Sequence, residues 1–288
     1  MSATVINGKA IAAAVREDVA KRVEVLKAKG VTPKLAAILV DFFPPSKIYV
    51  DAKEKACAGV GMLSERVDLP QDVSREDYFA EIARLNADPS VHGIIAQLPV
   101  PDHLNPELEI QLAVDPAKDV DCLHPLNVGL MARGEGKFLP ATPYGIVEML
   151  ARSGIDPKGK HVVVVGRGGL VGLPLSVMLV QKKERANATV TVCHTGTQDI
   201  PSYTRQADIL LAAAGRPGTV TADMVKPGAV VIDVAVNRLD SGKLVGDVEF
   251  DTVKEVAGAI SPVPGGVGPM TVAMLIVNTL TAAEAQTA

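Results

Sequence analysis

Apolar residues recur at helical spacing over residues 10–29, where Ile11, Val15, Val19, Val23 and Leu26 share one face and charged side chains take the other. Gly30 follows as a C-cap. The continuous apolar run PKLAAILV (33–40) predicts a strand buried on both faces. Pro44 and Pro45 predict a turn, and Ser46 a cap for the helix after it. A helix over about 75–87 leads into VHGIIAQLPVP, whose short strand ends at Gln97 and is stopped by Pro99 and Pro101. Helix, strand, helix, strand over residues 1 to about 130 predicts an open α/β layer with parallel strands.

A helix over about 143–153 introduces a second pattern. In KHVVVVGRGGLVGLPLSVMLVQK four valines form a buried strand, followed at once by Gly166, Gly168 and Gly172 and then an apolar helix. This G-x-G-x-x-x-G turn is of dinucleotide type, one residue longer than the common fingerprint. Segments 188–194, 207–215, 229–237 and 258–261 continue the βα alternation of a nucleotide-binding sheet. After the second strand, where an NAD-preferring site carries an acidic residue, stand Cys193, His194 and Thr195. A 2′-phosphate therefore has room, and Arg167 can pair with it, so NADP is expected with NAD as the alternative. The Pro/Gly cluster 262–269 offers its backbone to a ligand. Pro269 starts an apolar helix, 270–284, expected to pack back on the first domain and make it discontinuous.

Length agrees with this division, since 288 residues exceed what one core usually holds. A net charge of −4 with scattered basic residues lacks the footprint of a nucleic-acid binder, and 3% aromatic residues give no stacking surface. Three cysteines without CxxC spacing fit reduced thiols in a cytoplasmic protein. The N-terminal segment lacks the pattern of a signal peptide, and the apolar runs are shorter than the roughly 20 residues a membrane span needs. His103, His124 and His194 have no metal-ligand spacing.

Ligands of parallel sheets bind beyond the carboxyl ends of the strands. Gln97 sits at one such end. Tyr49 and Lys53, four residues apart and so on one helical face, follow another. By itself Tyr-x-x-x-Lys also fits a solvated helix face, and Asp119 and Asp121 also fit turn caps.

Taken together, SKIYVDAKEKACAGVGM, GIIAQLPVP, DPAKDVDCLHPLNVGLM, ATPYGIVEML, VVVVGRGGLVGLP, KPGAVVIDVAVN, GDVEF and SPVPGGVGPMT resemble the bifunctional methylenetetrahydrofolate dehydrogenase/cyclohydrolase family over nearly the whole chain. The resemblance implies an α/β protein of two domains, an open α/β catalytic domain with parallel strands (1–142 plus 263–288) and a Rossmann-like NAD(P)-binding domain (143–262). It implies a homodimer that oxidises 5,10-methylenetetrahydrofolate with NADP and hydrolyses the methenyl product to 10-formyltetrahydrofolate. Lys53, Tyr49, Gln97 and Asp121 are its implied catalytic residues, with Leu98, Pro99, Pro264, Gly265 and Gly266 also lining the folate site. For the cofactor it implies Gly166, Arg167, Gly168, Val171 and Gly172, then His194 and Thr195, then Ala214, Gly215 and Val236. A lysine releases its proton more readily than an arginine, which suits an acid/base for hydration. Gln97 can hold that amine without a full counter-charge. Asp121 matches adjacent donors on a pterin edge, and Tyr49 offers a ring to stack.

Several positions depart from the family pattern. Asp41-Phe42-Phe43-Pro44-Pro45 replaces an acidic turn, while Cys122, Ala141 and Ala235 replace Gly, Cys and Gly. Gly168 stands for the usual Ser and Gly196 for a basic residue, which removes a hydroxyl and a cation from the cofactor side. Loss of one activity, or ligand binding without turnover, are the alternative readings at this point.

Overall fold

The computed structural model describes residues 2–41 and 43–287. In chain order the first elements are β1 (Thr4–Val5), α1 (Gly8–Ala28), β2 (Lys34–Val40), α2 (Pro44–Gly59), β3 (Leu63–Leu69), α3 (Arg75–Ala87), β4 (Gly93–Ala96), α4 (Glu107–Ala113), α5 (Pro125–Ala132) and α6 (Ala141–Arg152). There follow β5 (His161–Val165), α7 (Gly172–Val180), β6 (Thr189–Cys193), α8 (Ile200–Thr204), β7 (Ile209–Ala212), β8 (Val230–Asp233), β9 (Asn237–Arg238), β10 (Leu244–Val245), α9 (Phe250–Val253), β11 (Ala259–Ile260) and α10 (Val267–Gln286). Backbone contacts group these into two compact units, Met1–Ala13 with Thr142–Thr271 and Ala14–Ala141 with Val272–Ala288, called here the dinucleotide unit and the lysine unit.

In the lysine unit β2 is the middle of a three-stranded parallel sheet, order β3-β2-β4. Its residues 35–40 are all buried, as a strand covered on both faces requires. Edge strand β3 was not evident in the sequence, because Ser64, Glu65, Arg66 and Asp68 give it the polarity of a loop. It is held by seven paired positions and by ion pairs of Lys34 with Glu65 and of Arg66 with Asp51. Helix α2 begins two residues before the expected cap, since Pro44 and Pro45 lack N–H groups and fit the first helical turn. Ser46 is thus inside the helix and buried, its hydroxyl meeting no partner among the described residues, and Phe43 occupies the N-cap position. Phe42 lies outside the described residues. In the C-terminal part of α10, Asn278 donates from Nδ2 to Val120 O and Leu139 O at 2.8 Å each, and Leu275, Leu280 and Ala283 are buried. By length and composition α10 is long and apolar enough to cross a membrane, with most of that stretch buried in the protein.

The dinucleotide unit carries a six-stranded sheet, order β1-β11-β8-β7-β5-β6, parallel throughout. Strand order reverses beside β5, where β6 lies on one side and β7 on the other, which makes its carboxyl edge a switch point. The core of this sheet includes Val163, Val165, Leu210 and Val231. The grouping differs from the expected domain limits at both ends of the chain. Residues 4 and 5 pair with Ala259 and Ile260, and Lys9 N donates to Gly265 O at 3.1 Å. Gly8 is required there, because a Cβ would lie 1.9 Å from Gly266 O. These long-range bonds draw residues 2–13 and 263–271 to this sheet, which no helical or strand period could reveal.

Candidate active site

Helix α2 starts just past the carboxyl end of β2 and carries Tyr49 and Lys53 on one face, one turn apart. Tyr49 is 55% exposed, whereas Lys53 is half-buried. The neighbouring strand β4 ends at Ala96, and Gln97 N continues its ladder with a 2.9 Å bond to Ile38 O. That backbone bond aims the Gln97 amide. Lys53 Nζ donates to Gln97 Oε1 at 2.9 Å, and Gln97 Nε2 donates to Leu98 O at 2.7 Å. The amide orientation is therefore set by its second bond, so that an oxygen faces the amine. Leu98 is half-buried and Pro99 exposed beyond it.

Asp121 lies on a loop built by its neighbours. Lys118 is buried and its Nζ donates to Leu85 O, Asn86 O and Asp88 O at 3.1, 2.8 and 2.7 Å, closing the C-terminus of α3. Asp119 accepts from Leu123 N and His124 N at 3.1 and 2.9 Å and from Asn127 Nδ2 at 2.8 Å. Of the two aspartates, Asp119 is thus the turn cap. Among the described residues no donor meets the Asp121 carboxyl, and burial raises its pKa against the lowering pull of Lys53. It borders a cavity of about 20 Å³ shared with Ile94, Leu98 and Asp119. Cys122 takes φ 58°, a left-handed conformation that suits the glycine found there in the resembling family. Its thiol, pushed up to about 12 chiefly by burial, is inert as a nucleophile.

In the dinucleotide unit the glycine-rich turn joins β5 to α7 at the switch point. Gly166 has φ 126°, and a Cβ there would stand 2.1 Å from Ala213 O; one on Gly172 would stand 2.2 Å from Gly166 O. These two glycines let the turn close on itself. Gly168 has nothing within 4 Å of its missing Cβ, and Arg167 beside it is exposed. Val171 is the N-cap position of α7 and contributes no side-chain cap, which leaves the helix N-terminus open to an anion. His194 and Thr195 follow β6, with His194 Nδ1 accepting from Gly196 N at 3.0 Å and Thr195 exposed. Ala214 and Gly215 follow β7, and Val236 follows β8 at 50% exposure. All of these lie along one carboxyl edge, a cradle of bare backbone and exposed side chains that fits a dinucleotide phosphate. Pro264, Gly265 and Gly266 follow β11 in this same unit.

Two further groups with structural weight were not singled out by sequence reasoning. Asp247 accepts from the backbone N–H groups of Ala214, Gly215 and Arg216. Behind it, Asp233 accepts from Asp247 N and Val248 N at 2.9 and 3.0 Å. The only signal was their place in VVIDVAVN and GDVEF, since a buried carboxylate and an exposed one look alike in a sequence. Among the described residues no cluster of His, Cys, Asp and Glu could hold a metal ion.

Comparison with known proteins adds family membership to this geometry. Residues 6–121 match the family model described as tetrahydrofolate dehydrogenase/cyclohydrolase, catalytic domain, and residues 140–287 the one described as its NAD(P)-binding domain. A bifunctional protein FolD of Syntrophus aciditrophicus is 54% identical over 289 residues, covering 99% of this chain and 98% of that one. The crystal structure of the bifunctional FolD enzyme of Campylobacter jejuni superposes with a TM-score of 0.94 at 45% identity, covering 99% of each chain. The Trypanosoma brucei dehydrogenase-cyclohydrolase, solved with NADP cofactor and inhibitor, gives 0.93 at 39% identity, covering 100% of this chain and 99% of that one.

Proposed function

The chain belongs to the tetrahydrofolate dehydrogenase/cyclohydrolase family, and from that membership we propose which of its residues carry the two reactions. It is a bifunctional enzyme of one-carbon metabolism: it oxidises 5,10-methylenetetrahydrofolate to the methenyl form with NADP and hydrolyses that product to 10-formyltetrahydrofolate. NADP, when bound, accepts the hydride from the one-carbon bridge. When it is bound, Gly166, Gly168, Gly172 and the α7 N-terminus would hold its phosphates, and Arg167 and Thr195 would serve its ribose side.

The observation that carries the residue assignment is the bond from Lys53 to a neutral amide. Gln97 accepts the hydrogen bond of the Lys53 amine and orients it without itself bringing a counter-charge. Lys53 thereby activates water for attack on the methenyl carbon and returns the proton to the departing nitrogen. Asp121, whose carboxyl meets no donor among the described residues, accepts from the pterin, and Tyr49 stacks on the substrate ring. Phe43 and the exposed part of α2 shape access to this face. Three free, buried cysteines support a cytoplasmic setting, and the family resemblance supports a homodimer without nucleic-acid or membrane partners.

The test is an assay of the purified chain with 5,10-methylenetetrahydrofolate and NADP+ or NAD+, following reduced cofactor and the methenyl compound separately. NADPH formation with the methenyl compound consumed as it appears supports both roles. Accumulating methenyl compound removes Lys53 as its hydrating group.

A further inference from the structure

We propose that Asp247 is a positioning residue for the dinucleotide, its carboxylate locking the Ala214–Arg216 turn that walls the cofactor crevice. This rests on the reading of this unit as the NADP-binding one. Three successive backbone N–H groups converge on a single carboxylate: Ala214 N and Gly215 N on Oδ2 at 2.6 and 2.9 Å, and Arg216 N on Oδ1 at 2.7 Å. Asn237 Nδ2 adds a fourth donor to Oδ1 at 3.1 Å. Successive amides converging in this way make an anion-binding nest. Here the anion is the protein's own and is fully buried.

Two consequences follow from the occupied nest. The amides of 214–216 are spent, so this turn presents a dinucleotide with its carbonyls and Cα atoms and not with donors. The turn also cannot drift, and that matters because Ala213 O already lies where a Cβ of Gly166 would be. A shift of the turn would change the width of the glycine-rich loop opposite it. Asp233 holds Asp247 in place from behind through Asp247 N and Val248 N, and Gly246 is bare so that Asp233 can approach, since a Cβ there would be 1.8 Å from its Oδ2. Ser261 Oγ in turn accepts from Asp233 N at 2.9 Å. A chain of contacts therefore runs from the end of β11 through β8 to the turn after β7 that walls the crevice.

The experiment measures NADP+ dissociation by titration and both activities in Asp247→Asn, which keeps the shape but turns an NH2 toward donors. The expected result is an NADP+ Kd and KM raised about tenfold or more, as loss of a charged acceptor implies, with hydrolysis of added methenyltetrahydrofolate, which consumes no dinucleotide, within about twofold of wild type. Asn237→Ala, which removes only one donor, should raise Kd about two- to fivefold and serves if Asp247→Asn does not fold. Unchanged NADP+ affinity in a folded Asp247→Asn, or in Asn237→Ala if that variant alone folds, overturns the proposal. So does an equal fall of both activities, which marks a purely structural residue. Failure of the wild-type chain itself to bind NADP+ would instead overturn the cofactor reading on which it rests.

Discussion

Lys53 and Gln97 are joined by a 2.9 Å hydrogen bond in which the amine donates and the amide oxygen accepts, and the other end of the amide is tied to Leu98 O. The pairing comes from two different elements, the third turn of α2, which follows β2, and the residue after the neighbouring strand β4 of the same sheet. A neutral acceptor at this place orients the amine by a hydrogen bond and not by an ion pair.

Lys53→Met removes the acid/base and leaves an apolar side chain of similar length. Hydrolysis of methenyltetrahydrofolate should fall by about 10²- to 10⁴-fold, with NADP+ affinity unchanged, as stopped assays and a cofactor titration would read. Gln97→Glu sets a counter-charge against the amine and should slow hydrolysis about tenfold or more with NADP+ affinity unchanged; an unchanged rate would remove the neutral-partner argument.

Asp119 and Asp121 should separate in opposite directions. Asp119→Ala orphans two backbone donors and one N–H of the buried Asn127 amide, at a cost of about 2–4 kcal/mol in urea unfolding. Asp121→Asn removes a half-buried carboxyl that meets no donor among the described residues, so stability at pH 8 should hold or rise while KM for 5,10-methylenetetrahydrofolate climbs about tenfold or more. Loss of stability in Asp121→Asn would show that the carboxyl is structural.

The glycine-rich turn makes a steric prediction. Gly166→Ala forces a Cβ to within 2.1 Å of Ala213 O at a φ of 126°, and NADP+ binding should be lost together with roughly 1–3 kcal/mol of stability. Gly168→Ser enters open space, should stay within about 0.5 kcal/mol of wild type, and should tighten NADP+ about two- to fivefold by restoring a hydroxyl donor. Equal behaviour of the two variants would contradict the geometry of the turn.

Asp233 predicts a pH dependence of stability. Burial outweighs its three backbone N–H partners and pushes its carboxyl up to about 7, against about 3.9 in an unfolded chain. Between those values the folded protein holds a proton that the unfolded chain releases. The contribution is thus fully present below pH 4 and is lost as pH rises through about 7. In urea unfolding from pH 5 to 8, Asp233→Asn should show a profile relieved of this decline, with a slope difference approaching about 1.4 kcal/mol per pH unit. Parallel profiles would place the proton elsewhere.

Periodicity alone determined much of this protein. The helical face of Val15, Val19, Val23 and Leu26, the apolar strands at 34–40 and 161–165 and the glycine-rich turn occupy the places their spacing predicts, because burial of one face and closure of a tight turn are local demands. The motifs likewise singled out Tyr49, Lys53, Gln97 and Asp121 as candidates. Tertiary structure decided which carboxylate does what. Asp119 and Asp121 are two residues apart and alike in sequence, yet among the described residues one is filled with donors and the other meets none. Asp247 meets the turn at 214–216 from about thirty residues away. Polar β3 became a strand only because β2 offered it a ladder, and residues 4–5 joined β11 from the opposite end of the chain. Such choices rest on long-range hydrogen bonds, whose partners are fixed by distance in space and leave no period along the chain.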